Sequence, residues 1–150
     1  MESKSFKDLT VYKKAFALAM EIFEVTKKFP REEMYSLTDQ IRRSSRSVAT
    51  GIAEAYRKRD YQAYFVSKSS DSDMENSETR VWLDFAESCK YIDTQTKRKL
   101  DEQALEIGKL LNHMIEFQRN TLVNQSLNEN LSYCILHSLS IVICEIVNLR

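Results

Sequence analysis

Six basic side chains crowd one short stretch of this 150-residue chain, SLTDQIRRSSRSVATGIAEAYRKRD, Ser36 to Asp60: Arg42, Arg43, Arg46, Arg57, Lys58 and Arg59. Cations at that density have two uses. They neutralise the phosphates of a polyanion and release its counterions, or they pair with carboxylates. Carboxylates are at hand in SDSDMENSETR, where Asp71, Asp73, Glu75 and Glu78 follow one another closely. Asp71, Glu75 and Glu78 step by four and three, so they share a helix face that could hold a hard cation. The Glu-x-x-His motif of di-metal bundles is missing. A solvated acidic face, or one paired with the arginines, is the better reading.

Other chemistry is sparse. There is no Gly-rich phosphate loop, GxSxG, HExxH or EF-hand pattern. His113 has neither an identifiable Asp partner nor a nucleophile, and reads as a histidine on a helix flank. Cys89, Cys134 and Cys144 are an odd count without CxxC, and with His113 and His137 they give no zinc spacing. Free buried thiols in a reducing cytosol are expected. These residues call for no enzyme, no metal and no cofactor.

Helices must position the basic stretch. The chain has only two glycines and one proline, with 43% hydrophobic and 29% charged residues, which suits a globular fold of few, long helices. From Leu9 to Phe29 apolar residues recur in steps of three and four, predicting an amphipathic helix with Asp8 as N-cap and Pro30 beyond its end. Ser36 and Asp39 read as a capping box for a second helix. At about 100° per residue, Leu37, Ile41, Val48, Ile52 and Tyr56 fall on its core side. Arg42, Arg46 and Arg57 lie together within about 60° of arc, with Arg43 and Lys58 on the same flank. Gly51 interrupts this helix at a cost near ~1 kcal/mol, either for close helix packing or simply tolerated.

Asp60 is expected to cap a third helix running to about Tyr91, whose polar first half predicts a solvent or polar intersubunit surface. Val81, Trp82, Phe85, Ala86 and Cys89 are its expected apolar face. Trp82 and Tyr91 read as core or interface aromatics. After DTQ, with Asp93 or Thr94 as cap, a fourth helix is predicted from Thr96 to Arg119. The fold class is therefore all-α, an antiparallel up-down-up-down four-helix bundle over residues 1–119. Residues 120–150 form a linker plus an apolar C-terminal extension. NTLVNQSLNEN is loop-like, and LSYCILHSLSIVICEIVNLR reads as a helix docked on the bundle or on a neighbouring subunit rather than as a membrane anchor.

Charge is balanced, with 22 basic and 22 acidic residues, so no global field draws in nucleic acid or membrane. Its distribution is not even. Residues 1–60 hold 13 basic and 9 acidic side chains, and residues 61–150 hold the reverse. Any grip on a polyanion must come from a local patch, or from one repeated by assembly. The N-terminus, MESKSFKDLTVYKKA, has no apolar signal segment, which points to the cytoplasm.

Several segments are familiar as a set: FKDLTVYKKAFAL, LTDQIRRSSRSV, IAEAYRKR and SDSDMENSETRVWLDFA. Over about residues 6–116 the chain resembles the four-helix-bundle proteins related to those encoded in intervening sequences of bacterial large-subunit ribosomal RNA genes. The resemblance implies an antiparallel bundle that assembles into a barrel-shaped pentamer, with no enzymatic activity. A related branch, the accessory variability proteins of diversity-generating retroelements, implies binding to RNA or DNA and to a reverse transcriptase or another protein partner. This chain departs from the pattern at Gly51, where the family usually has Asn, and in its apolar tail. The expected function is a non-enzymatic homo-oligomeric binding module that contacts RNA or DNA, or a protein that handles them, through Arg42, Arg43, Arg46, Arg57, Lys58 and Arg59. The alternative is a protein-binding scaffold without nucleic-acid contact. Arg42 and Arg46, nearest the core stripe, are expected to pair with carboxylates across a helix interface.

Overall fold

A computed structural model describes the backbone of residues 5–147 and the side chains of residues 5–121. Four α-helices follow one another: α1 Thr10–Thr26, α2 Leu37–Arg57, α3 Gln62–Ser88 and α4 Thr94–Val147. A 3-10 turn, Phe6–Asp8, precedes α1, and another, Arg31–Glu33, joins α1 to α2. The chain divides into two compact units, Met1–Glu116 and Phe117–Arg150. The first is the bundle.

Cross-helix pairs fix its directions. Along α2, Arg42 meets Thr26 and Arg46 meets Phe23, so α2 runs back along α1. Ser44 meets Thr79 and Glu54 meets Lys68, so α3 runs back along α2. Asn76 donates to the Ala104 carbonyl at 2.9 Å and Arg80 pairs with Asp101 at 2.6 Å, which sets α4 antiparallel to α3. Lys14–Glu106 and Lys99–Glu21 return α4 to α1 and close the up-down-up-down ring. Inside lie Ile22, Ile41, Ile52, Leu83, Leu100, Ile107 and Leu111, each almost completely buried.

Helix ends differ from expectation. Asp8 does not cap α1; its carboxylate accepts from Ser5 N–H at 2.8 Å and closes the preceding 3-10 turn. The Ser36–Asp39 box does not form either. Glu33 reaches forward instead, accepting from Leu37 N–H at 3.2 Å and from the Ser36 hydroxyl. Tyr61, not Asp60, precedes α3, because Tyr61 N–H folds back on the Lys58 carbonyl at 2.8 Å. α3 stops at Ser88: Lys90 takes a left-handed conformation (φ 62°), and Tyr91 N–H closes on the Ala86 carbonyl at 2.9 Å. Asp93 caps α4 through Thr96 N–H at 2.7 Å. The backbone of α4 is helical through 120–130, which the composition reads as a loop; that stretch has no Gly or Pro to break it. The expected docking of the apolar stretch 131–150, with Cys134, His137 and Cys144, lies outside the residues whose side chains are described. Among the described residues no helix is long and apolar enough to cross a membrane.

The larger correction concerns α3. Its polar half faces solvent on one side only, through Ser67, Asp71, Met74 and Ser77, while Ser69, Ser72, Asn76 and Thr79 are buried, followed by Leu83 and Ala86, in alternating steps of three and four. Val81 and Phe85, expected in the core, are half exposed, and Cys89 is exposed rather than buried. Small residues take the seam because α2 lies very close. A Cβ on Gly51 would overlap Ser72 Oγ and sit 3.5 Å from Ser72 Cβ. Gly108 of α4 likewise meets Asn76 and Asp73, at 3.2 and 3.3 Å from a Cβ in its place. Two of the hydroxyls are satisfied locally, Ser72 on the Lys68 carbonyl and Ser45 on the Arg42 carbonyl, so their burial costs little, whereas the buried Ser69 hydroxyl has no hydrogen-bond partner among the described residues. Gly51 is thus required by close approach.

The pair Gly51–Ser72 should be coupled. Gly51→Ala gains about 1 kcal/mol of helix propensity but overpacks the seam, a cost of typically ~1–3 kcal/mol. Adding Ser72→Ala removes the overlapping oxygen. Urea denaturation should find the double variant more stable than Gly51→Ala by about 1–2 kcal/mol. Equal stabilities would show that the helices are not held at this contact.

Candidate nucleic-acid interface on α2

α2 gives one flank to α1 and the other to α3, which leaves an outward arc bearing the basic residues. Arg42 is half-buried; its Nε donates to Thr26 Oγ1 at 2.7 Å, and its guanidinium lies 4.9 Å from the centre of the Phe23 ring. Arg46 covers the same ring at 5.6 Å. Arg43 donates to Gln40 Oε1 at 2.6 Å. At the other end Arg59 lies 4.4 Å over Tyr56, and Lys58 lies 5.9 and 5.5 Å over Tyr61 and Tyr64. Arg57 lines a shallow groove with Phe6, Ala53 and Tyr64.

Among the described residues none of these six cations makes an ion pair, although nine ion-pair contacts occur elsewhere. The expected pairing of Arg42 and Arg46 with carboxylates across a helix interface is therefore not formed among the described residues. The reason is topological: this part of the stripe lies over α1, which offers an aromatic ring and a hydroxyl, and not over the acids of α3. Those acids have other neighbours. Asp71 approaches Lys68 at 4.0 Å, Asp73 accepts from Asn112 at 3.5 Å, and Glu78 accepts from the Trp82 indole at 2.9 Å. Among the described residues no group of three or more His, Cys, Asp or Glu is arranged to hold a metal ion.

Arg42, Arg43 and Arg46 form one wall of a groove of about 540 Å³, completed by Met34, Tyr35, Thr38, Asp39, Ser47 and Thr50. Tyr35 is 91% exposed and Met34 49%. Along the arc this groove shares Arg46 and Thr50 with a more apolar one of about 430 Å³, lined by Phe6, Tyr12, Phe16 and Met20. The surface is therefore a basic strip with apolar and aromatic edges.

The family described as 23S rRNA-intervening sequence protein matches residues 7–113. The chain belongs to that family. It is also similar to a crystal structure from Bacteroides thetaiotaomicron, described as a protein with unknown function from the S23 ribosomal protein family. That likeness has 28% identity and a TM-score of 0.65, and covers 71% of this chain and 98% of that one. No curated protein matches.

Within this intervening-sequence protein, four of the six expected cations, Arg42, Arg43, Arg46 and Arg57, lie on α2, and Lys58 and Arg59 in the turn just past it; sequence reasoning missed Met34, Tyr35, Tyr61 and Tyr64. An apolar pair, Met34–Tyr35, is visible in the polar run REEMYS. It also missed Glu33. That carboxylate joins Ser36, Leu37 N–H and the Tyr91 hydroxyl (3.1 Å), and these bonds hold it below the usual carboxylate range.

Glu75, beside the strip, behaves oppositely. Desolvation, then the charges of Glu78 and Asp71, raise its pKa, and Arg43 only partly opposes them. A carboxyl raised on folding binds protons more readily in the native state, so its ionisation opposes folding above the unfolded pKa near ~4.3. Glu75→Gln should raise the melting temperature at pH 7, and the gain should shrink as pH falls toward about 4 and vanish below it. A gain that stays constant with pH would assign the effect to packing.

Proposed function

We propose that this intervening-sequence protein is a non-enzymatic binding module whose α2 surface contacts RNA or DNA. The observation that carries this reading is the absence of ion-pair partners, among the described residues, for all six cations of the strip. Elsewhere in the bundle Lys14, Lys68, Arg80, Lys97 and Lys99 are paired across helices. An uncompensated strip on a neutral protein creates a local positive field suited to phosphates.

Assembly belongs to the same proposal. Phe16 and Met20 stand one turn apart and about half exposed on α1, as do Val81 and Phe85 on α3. Apolar surface in matched pairs on two faces suits head-to-tail contact between copies, and a pentamer would repeat the basic strip into a belt. The same surface also favours the alternative, a scaffold that binds protein alone or a nucleic-acid-handling partner such as a reverse transcriptase.

Binding to RNA should weaken steeply with salt and show little sequence preference. Arg43→Gln, Lys58→Gln and Arg59→Gln together should reduce affinity and flatten the salt slope by about 3. Stability should hardly change, because all three are exposed. Arg42→Gln, which loses the Thr26 hydrogen bond and the Phe23 stacking, should lower the melting temperature. Absence of salt-dependent binding in low salt would overturn the nucleic-acid reading. A light-scattering mass near 17.6 kDa at micromolar concentration would overturn self-assembly.

A further inference from the structure

The aromatic residues at both ends of the basic strip have no evident role in the fold. Tyr35 stands at the start of α2, 91% exposed, and makes no hydrogen bond or ring contact among the described residues. It sits on the rim of the groove walled by Arg42, Arg43 and Arg46. Tyr61 and Tyr64, 66% and 62% exposed, stand past the end of α2 beside Lys58. Exposed rings are costly ornaments on a protein surface unless they meet something flat. Here each lies next to cations that can take a phosphate while the ring takes a base.

That pairing discriminates between forms of nucleic acid. A duplex keeps its bases stacked on each other, offers phosphates and groove edges, and leaves a surface tyrosine with nothing to stack on. A single strand offers π-faces along a flexible backbone, and a basic groove with stacking aromatics is how proteins hold it. The 21 residues of α2 span about 30 Å between the two aromatic ends at ~1.5 Å per residue, a length suited to several unpaired nucleotides.

We infer that the α2 strip takes single-stranded nucleic acid, with Tyr35 at one end and Tyr61 and Tyr64 at the other as base-stacking platforms. This rests on the nucleic-acid reading above and deepens it. A second copy of the chain is the competing occupant, since its α3 could bring Asp71 and Glu75 to the arginines.

The test is fluorescence anisotropy over a salt series, with a labelled mixed-sequence RNA of roughly 12 nucleotides and the same sequence as a duplex. The single strand should bind tighter, by about tenfold. Tyr35→Ala, and Tyr61→Ala with Tyr64→Ala, should each weaken single-strand binding by about tenfold while leaving the salt slope and duplex binding unchanged. Tyr→Phe at the same positions should restore affinity, because a phenyl face also stacks. If salt-dependent binding persists but the duplex binds equally well, or the alanine variants bind like the parent, the inference falls and the basic-strip reading survives. If neither RNA binds even in low salt, both fall. If the alanine variants instead lower the light-scattering mass without altering affinity, the rings belong to a contact between copies, and the inference is overturned.

Discussion

The distance between α2 and α3 is set by a hydrogen atom. At Gly51 no side chain stands between the α2 backbone and Ser72, and Gly108 meets Asn76 and Asp73 in a similarly confined space. Everything along the seam is correspondingly small: Ser44, Ser45, Ser69, Ser72 and Thr79. Ser72, Ser44, Ser45 and Thr79 can occupy such a seam because their hydroxyls return to carbonyls of their own helix, as Ser72 does to Lys68 and Ser44 to Ile41. The desolvation cost of a buried hydroxyl is offset within one turn. Larger side chains would wedge the helices apart and separate Asn76 from the Ala104 carbonyl on α4.

Once α2 is held this way, its exposed arc is fixed. α3 covers one flank and α1 the other, so the cations of α2 emerge between them. The ion pairs that stitch the bundle run from α4 to α1 through Lys14 and Lys99, from α4 to α3 through Arg80 and Lys97, and from α3 to α2 through Lys68 and Glu54. These are mostly exposed and contribute little each. None of these contacts involves the six cations of the strip. A chain with no net charge thereby presents an uncompensated basic strip.

Glu33 adds a local constraint. It binds the first turn of α2 and the Tyr91 hydroxyl at once, tying the α1–α2 connection to the residue that follows the α3 terminus. Met34 and Tyr35 lie between Glu33 and the helix they introduce, so this carboxylate holds them at the mouth of the arginine groove. Its bonds keep it ionised well into acid, which preserves the arrangement at neutral pH.

The sequence by itself determined that the chain is helical and where most helices lie, and helical periodicity set Arg42, Arg43, Arg46 and Arg57 beside the core stripe of α2. Helical periodicity and the scarcity of Gly and Pro act over a few residues, so they are legible without a fold. Helix caps were less legible: Asp8, Ser36 and Asp60 are acceptable caps in isolation, but neighbouring turns claimed or replaced them. The buried face of α3 was hidden for a different reason. A seam of Ser, Asn and Thr reads as polar surface until Gly51 and Gly108 are seen to press against it. The fate of the arginines was likewise a tertiary matter. Whether Arg42 meets Phe23 or a carboxylate depends on which helix α2 turns that flank toward, and pairing between distant residues is decided by packing rather than by spacing along the chain.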